Sequence, residues 1–225
     1  AQPAPMIALL TPTDGSSVVS PIAVSAEMNL DEASLIRVSL TNGQNQVISR
    51  QLHRVSTSSD ELFEYTASLP FEIPTESAPA RLSLMLIDSQ NRPLCLRSAA
   101  LTLQSSGNAA FQNLTPASPW LVITSPESGD LISGGEIQVT GQVTPLTGNP
   151  VFFELYSDSG RILMTIQLAV EQPGTAADFT LTIPYTVPAD PADALLVIHQ
   201  SASPYNETII LDLSLIHISE PTRPY

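Results

Sequence analysis

The sequence lacks lysine entirely and has few charged residues of either sign. Its 225 residues include 8 basic side chains, all of them arginine, against 22 acidic ones, so the net charge is −14. A nucleic-acid-binding protein needs a basic surface that displaces counterions from phosphates, and this composition argues against that class. It argues against binding to anionic lipid for the same reason. We therefore expect no nucleic-acid partner.

Cysteine and long apolar runs are also scarce. The single cysteine, Cys95, excludes an internal disulfide and a cysteine-rich metal site. No apolar run approaches the roughly 18 residues of a transmembrane helix. The 20 prolines disfavour long helices. The 43% of hydrophobic residues is enough to build buried cores, and the length allows one large domain or two smaller ones.

One sequence pattern occurs twice. Residues 7–26 and 121–141 each contain a short apolar strand, a proline, a glycine turn and a strand of alternating polarity. Pro12 matches Pro126 and Gly15 matches Gly129, so the offset between the copies is 114 residues. Each copy continues with further short runs of period two that are separated by turn residues, which is typical of strands.

About seven short strands in roughly 100 residues are typical of an immunoglobulin-like sandwich. We predict an all-β protein of two tandem immunoglobulin-like antiparallel β-sandwiches, over residues 1–103 and 120–212. Residues 104–119, rich in Ser, Ala, Asn and Pro, are predicted to form a linker of mixed stiffness. A parallel α/β enzyme fold would need helices between the strands, and the sequence has no room for them.

The final residues, 213–225, resemble read-through of a sequencing adapter. The stretch Leu213–Arg223 matches, residue for residue, the translation of a transposase adapter used to prepare sequencing libraries. We expect the natural sequence to be cut near Asp212, and we assign no function to His217 or Arg223. Because the chain starts at Ala1 rather than methionine, we expect a fragment of a longer protein.

Turn and core positions of the second copy carry a family resemblance. They are Ile123–Pro126 with Gly129, Val139–Gly141, Phe153–Leu155 with Asp158–Gly160, and Phe179 with Leu181. With these residues the second copy resembles the bacterial immunoglobulin-like domain first associated with spore-germination proteins. The first copy matches less well, because Ala26 replaces the glycine after the second long strand. The resemblance implies an accessory module of secreted or lipid-anchored envelope proteins, and it carries over no catalytic residue.

Residues capable of catalysis are few. Outside the final segment the histidines are His53 and His199, one in each copy, and we interpret both as strand residues. Cys95 reads as a buried, inert thiol. Adjacent acids in loops do not specify the paired carboxylates of a glycosidase. We predict no catalytic residue, no cofactor and no enzyme activity.

Two kinds of binding site have weak candidates in the sequence. Loop carboxylates of β-domains can bind calcium, and the candidates are Asp130, Asp158, Asp190 and Asp193. They do not form a regular calcium-binding loop, so we favour solvated surface acids and predict no metal site. Exposed aromatics typify sugar-binding sandwiches, and Tyr156 and Tyr205 are the candidates for a ligand-binding surface.

These features together predict a functional class and not a specific activity. We expect a non-catalytic spacer or interaction module of a secreted or surface-anchored bacterial envelope protein. The alternative is a carbohydrate- or protein-binding accessory module of a larger extracellular enzyme. The expected partners are other domains of the full-length protein and a cell-surface protein or glycan. Charge is uneven: residues 120–212 hold 11 acids and one arginine, a net charge of −10.

Overall fold

The computed structural model describes residues 6–29, 34–55, 62–112, 120–186, 191–202 and 207–219. All regular secondary structure in these ranges is β-strand. The chain folds as two compact units, the first built on Ala1–Ala117 and the second on Ser118–Ser201 with Thr208–Tyr225. Within the described ranges there is no helix long and apolar enough to span a membrane.

The described residues of each unit form eight strands. The first has β1 (Met6–Thr11), β2 (Ser17–Val19), β3 (Ile22–Asn29), β4 (Ser34–Asn42), β5 (Val47–Val55), β6 (Phe63–Leu69), β7 (Ser77–Ile87) and β8 (Pro93–Gln104). The second has β9 (Leu121–Ser125), β10 (Leu131–Ser133), β11 (Glu136–Val143), β12 (Val151–Ser157), β13 (Ile162–Leu168), β14 (Ala177–Pro184), β15 (Ala192–Ala202) and β16 (Glu207–Ser219).

The strands of each unit form one three-stranded and one five-stranded sheet. In the first unit the orders are β1-β3-β6 and β2-β8-β7-β4-β5, and in the second they are β9-β11-β14 and β10-β16-β15-β12-β13. Strand for strand, the two orders are the same. The protein is therefore all-β, with four sheets that pair into two immunoglobulin-like sandwiches in tandem, as the internal repeat predicted.

Equivalent positions in the two units follow from the strand register. Both β4–β5 and β12–β13 shift register near the end of the pair, between Leu40 and Thr41 and between Leu155 and Tyr156. Aligning the two units on these irregularities makes Ile36 of the first unit equivalent to Val151 of the second. Both residues are buried, so the alignment also keeps the inward faces in phase.

Alternation of apolar and polar residues explains why these segments form half-buried strands. On β3, Ile22, Val24, Ala26 and Met28 face inward and are buried, and the residues between them are more exposed. In the second unit Phe153 is fully buried and meets Phe179 edge-on, with ring centroids 5.2 Å apart. Each fully buried side chain of this size stabilises the fold by about 1.5–3 kcal/mol.

The glycine of the second unit that the first lacks lies under an aromatic ring. A Cβ on Gly141 would contact the carbonyl oxygen of Val122 and would lie 2.5 Å from Cζ of Phe179. In the first unit the equivalent cross-strand pair is Ala26 with Tyr65, so that ring leaves room for a methyl group. This accounts for the weaker sequence match of the first copy.

One buried polar side chain organises a loop of the second unit. Gln200 is fully buried, and its Oε1 accepts hydrogen bonds from the backbone N–H groups of Leu146 at 2.8 Å and Thr147 at 3.4 Å. Its Nε2 donates to the carbonyl oxygens of Thr147 at 3.0 Å and Asn149 at 2.7 Å. The equivalent residue of the first unit is Leu86, because Leu86 pairs with Ile36 as Gln200 pairs with Val151.

Part of the predicted linker belongs to the first sandwich. Ser17 and Ala110 exchange two backbone hydrogen bonds, of 2.9 and 2.8 Å. The backbone N–H of Gln112 donates to Ser16 Oγ at 3.1 Å, and Ser16 is fully buried. The structure thus extends the first folded unit through residue 112, beyond the boundary at residue 103 that we expected. Residues 113–119 lie outside the described ranges.

The last strand runs past the position at which we expected the natural sequence to end. β16 continues to Ser219, and its residues His217–Ser219 pair in parallel with Leu131–Ser133 of β10. Ile216 and Ile218 are buried, because alternation continues beyond Asp212. The adapter-like residues therefore complete the second sandwich in this structure.

Candidate functional site

The two histidines singled out from the sequence lie on different sandwiches. His53 is on β5, where its Nε2 lies 3.1 Å from Gln51 Oε1 and its ring meets that of Tyr65 edge-on at 5.5 Å. His199 is on β15, opposite Phe152 of β12. Cys95 is buried in the core of the first sandwich. None of these residues is brought together with another by the strand register.

A polar cluster forms around His199 on the outward face of the five-stranded sheet. Glu154 and Tyr156 share this face because residues two apart on a strand point the same way. The Tyr156 hydroxyl donates to Glu154 Oε2 at 2.7 Å, and His199 Nε2 lies 3.4 Å from the same oxygen. Ser201 Oγ lies 3.3 Å from His199 Nδ1, and the Phe152 ring stacks on the imidazole at 5.4 Å.

The environment of this cluster fixes two protonation states. The hydrogen bond from His199 lowers the pKa of the Glu154 carboxyl; burial opposes this shift and the Tyr156 hydroxyl reinforces it. Burial raises the pKa of the Tyr156 phenol far above its usual range, and the hydrogen bond to Glu154 and its negative charge add to the effect. At neutral pH Glu154 is therefore ionised and Tyr156 is protonated.

Ser201, His199 and Glu154 are the residue types of a hydrolase triad, and here they lie on two paired strands, β12 and β15. The two distances, 3.3 and 3.4 Å, are longer than the hydrogen bonds of a nucleophile and its base. β15 lies between β12 and β16, so its backbone N–H groups face neighbouring strands and are not turned toward a substrate oxyanion. The cluster instead ties β12 to β15.

Sequence reasoning identified Tyr156 and His199 and missed Glu154 and Ser201. The available signal was spacing, since Glu154 precedes Tyr156 by two residues and Ser201 follows His199 by two. What the sequence could not supply was the register of β12 on β15, which sets Phe152 opposite His199. That register depends on long-range pairing.

The predicted ligand-binding tyrosines have separate outcomes. Tyr156 is half-buried, and its hydroxyl is engaged by Glu154. Tyr205 lies outside the described residues. Trp120, which directly precedes β9, is 40% exposed, and its carbonyl oxygen accepts a hydrogen bond from Thr144.

The carboxylates considered for calcium are dispersed. Asp130 Oδ2 accepts a hydrogen bond from the backbone N–H of Glu127 at 2.9 Å, so it stabilises its own turn. Asp193 Oδ1 lies 2.6 Å from His217 Nδ1, and both side chains are largely exposed. Asp158 lies in the turn between β12 and β13, and Asp190 lies outside the described ranges. The described residues contain no group of three or more His, Cys, Asp or Glu that could hold a metal ion.

The second sandwich has a cavity of about 380 Å³ where its two sheets meet at the β13–β14 edge. Its size is within the range of ligand pockets, at the lower end. Glu171 and Asp178 are the charged residues that line it. The other lining residues are apolar or neutral: Val143, Pro145, Val151, Leu168, Ala169, Val170, Gln172, Thr175 and Ala177.

The same edge of the first sandwich is bridged by side chains. Gln51 of β5 donates from Nε2 to the carbonyl oxygen of Ser68 on β6 at 2.9 Å. His53 packs its ring against Tyr65 of β6, as described above. By register, His53 is equivalent to Leu168, which lines the cavity of the second sandwich. The polar bridge of one unit is thus replaced by an apolar wall in the other.

Comparison with known proteins finds similarity at the level of solved structures alone. No family model matches the chain, and no curated protein matches its sequence. Among solved structures, the fibronectin(III)-like modules of Clostridium thermocellum CbhA are 11% identical, with 98% of this chain and 97% of that chain covered and a TM-score of 0.30.

Two further structures illustrate the same range of similarity. The titin domains z1z2, from a complex with telethonin, are 16% identical, with 99% of this chain and all of that chain covered and a TM-score of 0.24. Escherichia coli alpha-2-macroglobulin, activated by porcine elastase, is 11% identical, with 96% of this chain but 22% of that chain covered and a TM-score of 0.30.

Proposed function

We propose that this protein is a non-catalytic tandem module that serves as a spacer and interaction segment in a secreted or surface-anchored bacterial envelope protein. The second sandwich is proposed to be of the type first associated with spore-germination proteins, on the sequence motifs given above. The proposal assigns no reaction, cofactor or metal to either sandwich.

The observation that carries the proposal is the path of the chain through each sandwich. In the first unit β1 begins with Met6 opposite Asn29, at one end of the sandwich, and β8 finishes with Gln104 opposite Val19, at the other. β8 has 12 residues, and at about 3.4 Å per residue it spans about 40 Å. After Gln104 the chain turns back and pairs Ala110 with Ser17, so at residue 112 it still lies in the half of the unit opposite to Met6. A module with its two chain ends in opposite halves lengthens the protein that contains it.

The second unit has the same property. Leu121 of β9 pairs with Val143, whose other partner Ala177 begins β14, so the chain enters at that end. Ser219, in the adapter-like segment, pairs with Ser133, just before the start of β11 at the opposite end. The proposal takes the natural continuation of β16 to follow the same direction. Two such units in series suit a spacer, and the net charge of −10 in residues 120–212 favours solubility at a surface.

Recovery of the complete gene is the most direct test. We expect a secretion signal before this segment and a surface anchor or further extracellular domain after it. A gene that encodes a cytosolic protein would contradict the proposal. A catalytic domain in the same exported chain would support instead the accessory-module alternative.

A turnover assay tests the non-catalytic part of the proposal. The purified chain is assayed against ester, peptide and glycoside substrates beside its Ser201→Ala variant. We expect no turnover above background for either protein. Hydrolysis by the parent chain that Ser201→Ala abolishes would assign catalysis to the polar cluster and overturn the proposal.

The second candidate function is a carbohydrate- or protein-binding accessory module, and the cavity at the β13–β14 edge favours the protein-binding form. Because Tyr156 is half-buried and hydrogen-bonded, we expect no glycan binding through its ring. A glycan array compares the parent with Tyr156→Ala and Tyr205→Ala. A glycan signal lost in either variant would establish the carbohydrate-binding form.

A further inference from the structure

The outer strand of the second sandwich carries no charge. β13 reads Ile-Leu-Met-Thr-Ile-Gln-Leu, and it lies at the edge of its five-stranded sheet. Ile162 is 46% exposed and Leu163 is 40% exposed. An edge strand leaves backbone N–H and C=O groups open to pairing, and proteins usually protect such edges with charged side chains.

The equivalent strand of the first sandwich is protected in this way. β5 carries Arg50 and Arg54 on its exposed face. Register makes Arg50 equivalent to Thr165 of β13. The same position of the fold thus holds a cation in one unit and a small neutral side chain in the other. Only the second unit offers an unprotected edge at this place.

The unprotected edge lies beside the cavity. Leu168 ends β13 and lines the cavity, and the chain continues along the wall through Val170 and Glu171. A strand added next to β13 would turn alternate side chains into the space between the two sheets. Met164, Ile166 and Leu168 share the inward face of β13, and Leu168 is the one of the three that lines the cavity.

Charge selects the partner. Glu171 and Asp178 are exposed and line the cavity. Asp178 accepts a hydrogen bond from Gln142 at 2.9 Å. In residues 120–212 the one basic residue is Arg161, against 11 acids. Electrostatic complementarity therefore favours a cationic partner, and a net charge of −14 opposes pairing with a second copy.

We propose that the β13 edge binds an extended, basic segment of another protein by strand addition, with its apolar side chains in the cavity and its Lys or Arg side chains beside Glu171 and Asp178. The inference rests on the proposed role as an interaction module and names the chemistry of the partner. Backbone pairing supplies the register, the cavity selects apolar side chains, and the two carboxylates select charge.

The binding test uses two fluorescein-labelled nine-residue peptides with the full chain. Both peptides alternate valine and threonine, and one has arginine at both ends and in the centre where the other has glutamate. Fluorescence anisotropy is expected to show saturable binding of the arginine peptide, with the glutamate peptide at least about tenfold weaker. Absence of binding by the arginine peptide, or equal binding of both, would overturn the inference.

Variants of exposed residues locate the binding. Glu171→Gln with Asp178→Asn is expected to weaken the arginine peptide about fivefold. Glu72→Gln with Glu76→Gln makes the same change of net charge on exposed residues of the first sandwich and is the matched control. If both double variants bind the arginine peptide equally weakly, the loss of affinity comes from net charge alone. That result would contradict a binding site at Glu171 and Asp178.

A second variant tests the edge itself. Thr165→Arg transfers the protection of β5 to β13 and is expected to weaken the arginine peptide at least about fivefold, with an unchanged urea transition as the check on folding. Sedimentation velocity of the parent alone is expected to show a monomer. If the parent is a dimer that Thr165→Arg dissociates, the edge binds a second copy of the chain and the inference is overturned. Failure of the proposed function is a separate result, because it would appear as enzymatic turnover in the assay described above.

Discussion

The two sandwiches share a strand order and differ in how they treat one edge. In the first, Gln51 and His53 reach from β5 to β6. In the second, the equivalent residues are Ile166 and Leu168, and Leu168 lines a cavity at this edge. The two units thus share the same strand pairing, and a few side chains determine whether the edge between the two sheets is bridged.

Truncation after Asp212 is expected to unfold the second sandwich and leave the first intact. It removes the buried side chains of Ile216 and Ile218 and the partner of β10. Loss of a buried Ile or Leu side chain costs about 2–5 kcal/mol, and a domain has about 5–15 kcal/mol in total. Urea denaturation followed by Trp120 fluorescence measures the second unit. An unchanged transition would show that β16 does not need its last residues.

Exchange of Leu86 and Gln200 tests the interior difference between the units. Gln200→Leu leaves four backbone groups of the 146–149 loop without their partner and is expected to cost about 3 kcal/mol. Leu86→Gln places an amide in an apolar core and is expected to destabilise the first unit by a similar amount. Urea midpoints measure both. A stable Gln200→Leu protein would mean that water replaces the lost hydrogen bonds.

Exchange at the glycine position tests the aromatic packing. Gly141→Ala is expected to cost about 2 kcal/mol, because the new methyl group meets the Val122 carbonyl and the Phe179 ring. Ala26→Gly in the first unit is expected to cost about 0.5–1 kcal/mol through chain entropy. Differential scanning calorimetry compares the two. A smaller loss for Gly141→Ala than for Ala26→Gly would contradict this packing.

Glu154 is expected to give the second unit a small pH dependence of stability that has no counterpart at the equivalent position of the first unit. Because the folded pKa of Glu154 is lowered, its stabilisation is present above the ordinary glutamate pKa and is lost as pH falls through the folded value. The equivalent residue of the first unit is Ser39, which does not titrate. With Glu154→Gln, the change in the free energy of unfolding between pH 3 and 7 is expected to shrink by less than about 1 kcal/mol. Urea unfolding between pH 3 and 7, with Glu136→Gln as an exposed control, measures it.

The fold followed from the sequence because alternation is a local property. Ile22, Val24, Ala26 and Met28 already indicate a half-buried strand. The contact of residues 110–112 with the first sandwich was not predicted, since hydrogen bonds between Ser17 and Ala110 join residues far apart in the chain. The polar cluster and the cavity were not predicted for the same reason. Both depend on which residues of different strands become neighbours, and local sequence patterns do not indicate that pairing.

The parallel pairing of terminal strands has a mechanical consequence. β2 lies near the start of the first sandwich and β8 at its finish, and they run in the same direction. Tension applied along the chain would pull them past each other, so their backbone bonds would be sheared together instead of unzipped one at a time. β10 and β16 repeat this geometry. In both sandwiches, tension along the chain is therefore expected to load a parallel strand pair in shear.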